Sequence, residues 1–141
     1  MINVLVLIRQ HLLNQSSVTS LLGTSNINGS IYATPDLPEH YDAAKGPCVQ
    51  IFRTGGHSHV EIPDLIEPIV HIRVWADQEK YKLAADVYGA VHDVLHGANE
   101  VTLPSGTISY AYEAMGPTEL TDPDSSWVMI NSQYQVMARP N

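Results

Sequence analysis

Hydrophobic and polar positions organise the chain around residues 70–97. The apolar residues Val70, Ile72, Val74 and Ala76 alternate with polar ones, which places them on one face of a predicted strand. Asp77 follows and is expected to cap a helix by accepting from the free amides of its first turn. Within that helix, apolar residues recur at spacings of three and four: Ala84, Val87, Tyr88, Val91, Val94 and Leu95. Gly97 ends the predicted helix, because glycine easily adopts the left-handed conformation that follows a last turn.

The N-terminal stretch fits two patterns. Residues 2–8 alternate like a strand, but Val4, Leu5, Ile8 and Leu12 also lie on one side of a helix. The apolar pattern continues to Leu13, and because strands rarely run that long, a helix is the better prediction. A second short helix is predicted over residues 18–22, closed by Gly23. Residues 29–32 then return to extended structure.

The middle of the chain is rich in proline and glycine. Residues 33–47 are predicted to be irregular, and residues 48–53 form a strand candidate. Residues 55–59 are interpreted as a loop. Residues 61–68 are predicted to be extended and partly exposed, because Pro63 and Pro68 cannot donate to a sheet ladder.

The C-terminal third predicts three strands. Residues 101–103 and 107–115 form a predicted hairpin turned at residues 104–106, with Tyr110 and Tyr112 on one side of its second strand. Residues 116–126 are interpreted as a loop rich in proline and aspartate. A long last strand follows, with Val128, Ile130, Tyr134, Val136 and Ala138 on one side and Ser132 interrupting them. The element order predicts a single α+β domain over residues 1–141. Its sheet is mainly antiparallel, with one main helix packed on one face and a short N-terminal helix.

Composition narrows the function. The chain has 141 residues, which suits one domain with a real core, and its formal charge of -8 argues against specific nucleic-acid binding. The single cysteine, Cys48, excludes an internal disulfide and fits a reducing compartment. The apolar start is too short to span a bilayer and lacks a basic leader. We therefore expect a soluble intracellular protein with no membrane contact.

Two histidine pairs are candidates for metal chemistry. His57 and His59 flank Ser58, and His92 and His96 lie one helical turn apart. Zinc needs a third or fourth ligand, and no nearby cysteine or HExxH motif completes either pair. Structural roles are therefore favoured for both pairs, and no metal or cofactor is predicted. The alternative is a small metal-binding enzyme that uses His57 and His59.

Other catalytic signatures are absent from the sequence. There is no GxSxG motif, and Cys48 precedes a strand that should bury it, so a structural thiol is favoured over a nucleophile. Asp122 and Asp124 flank a proline and fit an Asx-type turn better than a calcium site, which needs more oxygen ligands. We predict no catalytic residues.

An acidic stretch lies in the proline-broken segment. Glu61, Asp64 and Glu67 are expected to form a solvated edge, and contact with a basic partner is the alternative.

One flank of the main helix is a candidate interface. Tyr81, Ala85, Gly89, His92 and His96 form a row beside the buried stripe. Gly89 inside a helix costs about 1 kcal/mol relative to alanine, which is easier to understand where another backbone comes close. That neighbour is either the protein's own sheet, the favoured interpretation, or a second subunit.

Four segments, in this order, carry a resemblance to a known family. They are an N-terminal helix ending in LLG, then IYATPDLPEHYDAAKGPCVQIF, then VHIRVWADQEKYKLAADVYGAVHDVLHG, and last TDPDSSWVMINSQYQVMAR. Together they resemble the tail-completion proteins of long-tailed phages, namely the tail terminators and tail-to-head joining proteins. The resemblance spans almost the whole chain. The sequence departs from many relatives in residues 54–68.

The resemblance implies a structural virion protein with an α/β sandwich-like fold. Such proteins form a homo-oligomer, a hexameric ring at the head-proximal end of the tail tube, which stops tube growth and contacts the neck. Its partners would be the tail tube protein and a neck or head-completion protein, and another neck component is an alternative identity. An acidic ring would repel DNA passing through it. The predicted interface comprises Tyr81, Ala85, Gly89, His92, His57, His59, Glu61, Asp64, Asp122 and Asp124. Assembly is expected through sheet edges rather than a large apolar patch.

Overall fold

The computed structural model describes residues 3–22, 30–39, 41–58 and 66–141. Within these residues there are three α-helices: α1 (Val4–Leu13), α2 (Ser16–Thr19) and α3 (Tyr81–Leu95). The six strands are β1 (Ile31–Tyr32), β2 (Cys48–Ser58), β3 (Ile66–Ala76), β4 (Asn99–Leu103), β5 (Gly106–Thr121) and β6 (Val128–Arg139). Single 3₁₀ turns cover Ala43–Lys45 and Gln78–Lys80.

The strands form one sheet in the order β1-β2-β3-β6-β5-β4. Every neighbouring pair is antiparallel except β1 with β2, which is parallel. The main helix α3 follows β3, and the short helix α1 begins the chain. The predicted α+β fold with a mainly antiparallel sheet is confirmed.

The N-terminal stretch is a helix, as the continuation of its apolar pattern to Leu13 predicted. Asn3 caps α1, because its side-chain oxygen accepts from the backbone N–H of Leu5 at 3.1 Å and of Val6 at 3.4 Å. The buried face of α1 consists of Val4, Leu7, Ile8, His11 and Leu12. The second helix covers Ser16–Thr19, slightly earlier than predicted, and Gly23 lies outside the described residues.

The core lies between the helices and one face of the sheet. The alternating residues of β3 are all buried, as are Ala84, Val87, Val91 and Leu95 of α3. The strand β6 adds Ile130, Tyr134, Val136 and Ala138 to the same core. Ser132 is also buried on this face, and its hydroxyl donates to the carbonyl of Ile72 at 3.4 Å. The polar interruption in the last strand is therefore paired inside the core.

Asp77 caps the start of the helical region. Its carboxylate accepts from the backbone N–H of Glu79 at 3.1 Å, within the 3₁₀ turn that leads into α3. At the other end, Gly97 has φ +83° and follows the last turn, as predicted.

Replacing Asp77 by alanine is expected to lower the free energy of unfolding by about 1 kcal/mol, because a first-turn amide loses its acceptor. Asp86→Ala on the exposed side of α3 is the control and should change stability much less. Urea denaturation of both variants measures the difference. Equal effects of the two substitutions would show that the cap contributes nothing.

Two segments predicted as loops are strands. β2 continues to Ser58, so Gly55, Gly56 and His57 pair with β3 after a register shift beyond Arg53. β5 continues to Thr121 and pairs with β6 along residues 118–121 after three register shifts. In both strands the bulges absorb the irregular residues, so that pairing resumes beyond them.

Pro68 is buried inside β3, where the proline rule predicted an exposed edge. The β6 register skips Glu67 and Pro68. The side-chain amide of Gln135 fills this gap by donating to the carbonyl of Glu67 at 2.8 Å and of Pro68 at 3.3 Å. A side chain thus replaces the ladder there, which is how an interior strand accommodates a proline. Glu61 and Asp64 of the same predicted segment lie outside the described residues.

Candidate assembly surface

The predicted row on α3 lies on the side of the helix that meets β5. The hydroxyl of Tyr81 donates to the carboxylate of Glu119 on β5. Two turns further on, Tyr88 donates to the carboxylate of Glu113 at 2.5 Å. Tyr81 is exposed, and Ala85, Gly89 and His92 are partly exposed. The row therefore runs alongside the strand near the margin of the sheet.

Below this row, the carboxylate of Glu113 accepts hydrogen bonds from a cluster of polar side chains. Its Oε2 atom accepts from the hydroxyl of Tyr88 at 2.5 Å, from Nδ1–H of His92 at 2.6 Å and from the hydroxyl of Tyr134 at 3.2 Å. The Tyr134 hydroxyl also lies 3.1 Å from Nδ1 of His92. The cluster connects α3, β5 and β6 through one carboxylate.

Burial and hydrogen bonding set the charges in the cluster. Burial alone would raise the pKa of Glu113, but the hydrogen bonds from Tyr88, His92 and Tyr134 outweigh it, and the pKa is lowered. Burial, together with the neighbouring carboxylate, raises the pKa of Tyr88 and of Tyr134. At neutral pH the carboxylate is therefore ionised and both phenols are protonated, so that both can donate to it.

The helical histidine pair has protein partners. Nδ1 of His96 accepts from the backbone N–H of Glu113 at 2.9 Å, and His92 donates from Nδ1 to the Glu113 carboxylate. The two rings stack with centroids 4.8 Å apart and an angle of 12° between their planes. Over the described residues, no group of three or more His, Cys, Asp or Glu side chains is placed to hold a metal. These contacts link the end of α3 to β5.

Gly89 has an open side. Apart from its chain neighbours and the backbone of its own helix, a Cβ atom built on Gly89 meets no described atom within 4 Å. The favoured prediction, that the protein's own sheet approaches Gly89, is therefore wrong. The surface there is free for a neighbouring molecule, and contact with a second subunit stays a prediction.

The remaining predicted interface residues are placed as follows. His57 lies in β2, opposite Glu67 of β3, and His59, Glu61 and Asp64 lie outside the described residues. Asp122 and Asp124 lie in the turn between β5 and β6. The Asp122 carboxylate accepts from the hydroxyl of Ser125 at 2.6 Å and from the backbone N–H of Asp124 at 3.3 Å. These bonds lower the pKa of Asp122 and form the predicted Asx-type turn.

Sequence reasoning missed an apolar stripe along β5. Large exposed hydrophobic side chains in the described part of the chain are concentrated there: Tyr110, Tyr112, Met115 and Leu120 lie on β5, and Tyr81 lies on α3. The four on β5 pair with Met137, Gln135, Gln133 and Met129 of β6, on the face away from the main core. The alternation of Tyr110 and Tyr112 signals the start of this stripe, but the bulges break its period afterwards.

The same strand has an open edge. β4 pairs with β5 only as far as Tyr110. Beyond it, Ala111 donates to the carbonyl of Ala98, and Glu113 donates to His96. No described strand pairs with the outer side of residues 114–121. Backbone groups that are unpaired along a strand offer a template for another chain.

The described surface thus combines one open strand edge with exposed apolar side chains on β5. The family of phage tail termination proteins matches residues 10–141. The chain belongs to this family and is therefore a structural protein of a phage-type tail, a virion component, as the sequence resemblance predicted.

A solved structure has a similar fold. It is a chain from the "Virion of native gene transfer agent (GTA) particle", 15% identical, with a TM-score of 0.61, covering 94% of this chain and 91% of that one. No curated protein sequence matches the chain. None of the described helices is both long and apolar enough to cross a membrane.

Proposed function

We propose that the protein assembles as a ring of identical subunits on the head-proximal end of a tail tube. The ring ends tube growth and joins the tail to the neck. Family membership supports the position in the tail. The observation that carries the ring is the open edge of β5, with four exposed apolar side chains along the same strand. This edge is left uncovered by the described residues and is a surface that another chain can cover.

Ring closure follows from head-to-tail contacts between copies. When one surface of a subunit binds a different surface of the next, the chain of contacts closes into a ring if the rotation allows it. The predicted state is a homo-oligomer, with six subunits implied by the family resemblance. The two faces of such a ring are then available to the tail tube protein on one side and to a neck or head-completion protein on the other.

The charge of the subunit suits a passage for DNA. Fifteen acidic residues against seven basic ones give each copy a formal charge of -8. A ring of such copies repels the phosphate backbone, which favours passage over binding. We propose no specific nucleic-acid recognition.

The test is to mix the protein with purified tubes of the cognate tail tube protein, and to measure its mass in solution and image the tubes by electron microscopy. We expect rings seated on one end of each tube and tubes that no longer elongate. Protein that stays monomeric at all concentrations and leaves the tubes growing would contradict the proposal. Binding to heads but not to tubes would instead assign the protein to the head side of the neck.

A further inference from the structure

The two ends of the sheet have complementary steps. At one end, β1 projects beyond β2, but it pairs only with Val49 and Gln50, so no described strand covers the outer side of the rest of β2. At the opposite edge of the sheet, β4 lies beside the first part of β5, as far as Tyr110. It leaves the outer side of residues 114–121 of β5 open. Each end thus has one projection and one recess, each a single strand wide.

The strand registers place these features at matching heights, where height means position along the direction of the strands. Across the sheet, Ile31 of β1 is level with Val49, Val74 and Ile130, and finally with Glu119 of β5. By the same count Tyr32 is level with Thr118. The projection at one end is therefore at the height of the recess at the other.

The second projection also meets a recess. Val101 of β4 pairs with Ile108 and is level with Ala138 and Ile66, and through them with Ser58 of β2. This is the part of β2 that β1 does not cover. When two copies lie side by side at the same height, β1 of one copy therefore faces the open part of β5 in the other. β4 of that other copy faces the uncovered part of β2 in the first.

Strand directions make the β1–β5 contact antiparallel and the β4–β2 contact parallel, the arrangement that β1 and β2 already adopt. β2, β3, β6 and β5 are successively antiparallel, so β2 and β5 run in opposite directions. β1 is parallel to β2 and therefore antiparallel to β5. A neighbour related by a rotation about an axis along the strands would place its β1 antiparallel to β5, the pairing that dominates within the sheet.

We propose that neighbouring copies join by this stepped edge. β1 of one copy adds to the open part of β5 in the next, and β4 of that second copy enters the recess beside β2 of the first. The inference rests on the proposed ring and names the surfaces through which its subunits meet.

Two further observations favour a second copy as the occupant. Pro117 has no N–H to donate, so the open edge accepts only a short strand beside Thr118 and Glu119, and β1 has two residues. Charges also match. The guanidinium of Arg9 donates to the carbonyl of Ile31 at 2.9 Å and so places a positive charge beside β1, while Glu119 at the same height on β5 is acidic. Both projection and recess belong to the same chain, which gives the head-to-tail contact that a ring requires.

Cysteine cross-linking tests the contact. Ala33 is exposed just after β1, and Thr118 is exposed on the open edge, so the double variant Ala33→Cys/Thr118→Cys places one thiol on each surface. The native Cys48 is buried, and burial raises its pKa to about 12, so it stays unreactive toward maleimides. A short bis-maleimide spans a shift of about one residue in the register.

On tubes of the cognate tail tube protein, we expect the double variant to shift from monomer to a ladder of covalent multimers. Each single variant should stay monomeric, because the contact joins different surfaces. The control Lys82→Cys/Asp93→Cys, with both thiols on the exposed side of α3, should also stay monomeric.

Three outcomes would overturn the inference. A covalent dimer from Thr118→Cys alone would show that two β5 edges meet each other. An equal ladder from the control pair would show nonspecific cross-linking, and rings without a ladder would place the contact elsewhere while leaving the proposed function intact. Absence of rings for the unmodified protein would contradict the proposed function itself.

Discussion

Replacing Gly56 by alanine is expected to lower the free energy of unfolding by about 3 kcal/mol. Gly56 has φ +105°, a conformation that side-chain-bearing residues rarely adopt. A Cβ atom there would lie 2.2 Å from Cα of Pro68 and 2.4 Å from the carbonyl oxygen of Glu67. Because these are backbone atoms of the adjacent strand, the β2–β3 pairing must open locally to admit the methyl group.

Gly89→Ala is the matched control, since it makes the same chemical change on an open surface. Outside its own helix backbone, no described atom lies within 4 Å of the added methyl group, and alanine favours a helix over glycine by about 1 kcal/mol. Gly89→Ala should therefore stabilise the monomer. Urea denaturation of both variants measures the effects. A loss below about 1 kcal/mol for Gly56→Ala would contradict the close approach of β3.

Glu113→Ala is expected to cost about 2–3 kcal/mol, the second largest effect. The substitution removes the acceptor shared by Tyr88, His92 and Tyr134, so these partly buried donors lose their partner. Glu113→Gln keeps the shape and one acceptor oxygen and should cost less. Glu100→Gln, which removes an exposed carboxylate on β4 that pairs with Arg139, is the control for loss of a surface ion pair. Thermal or urea unfolding near pH 7 measures all three.

The same carboxylate predicts a pH dependence. The pKa of Glu113 is lower in the folded protein than its ordinary value of 4.5. A lowered pKa contributes stability that is fully present above the ordinary value and is lost as the pH falls through the folded value. The wild-type protein should therefore lose more stability than Glu113→Gln between about pH 5 and pH 3. Equal losses of stability in the two proteins would show that the hydrogen bonds of the cluster do not stabilise the ionised form of Glu113.

Much of the fold follows from local patterns in the sequence. The alternation in residues 70–76, the three-four spacing in residues 81–95 and the glycine that follows predict the β3–α3 unit, and the structure confirms it. The last strand and the N-terminal helix are predicted in the same way. These elements can be recognised in the sequence because one face of each is buried, so that apolar residues recur at the spacing of a helix or of a strand. The order of the segments also carries the resemblance to tail-completion proteins, which the family match confirms.

The candidate site is less visible, because its members come from separate parts of the chain. His92 was found through the helix row, but Glu113 and Tyr134 join it only when β5 and β6 pass under α3. No spacing in the sequence brings a carboxylate on one strand to a phenol on the next. Gly89 shows the opposite error, since a helix glycine suggests a close neighbour that the protein's own sheet does not provide.

By itself, the sequence determined the helices, the core-facing strand positions, the α+β class and the resemblance to a tail-completion family. Only the tertiary structure decided where β2 and β5 end. Glycine and proline lower the local preference for a strand. Backbone pairing of β2 with β3, and of β5 with β6, nevertheless extends both strands beyond these residues. The structure also decided which edge stays open, because that depends on β4 pairing with only the first part of β5. Register and strand order arise from pairing between distant segments, and local periodicity contains no information about them.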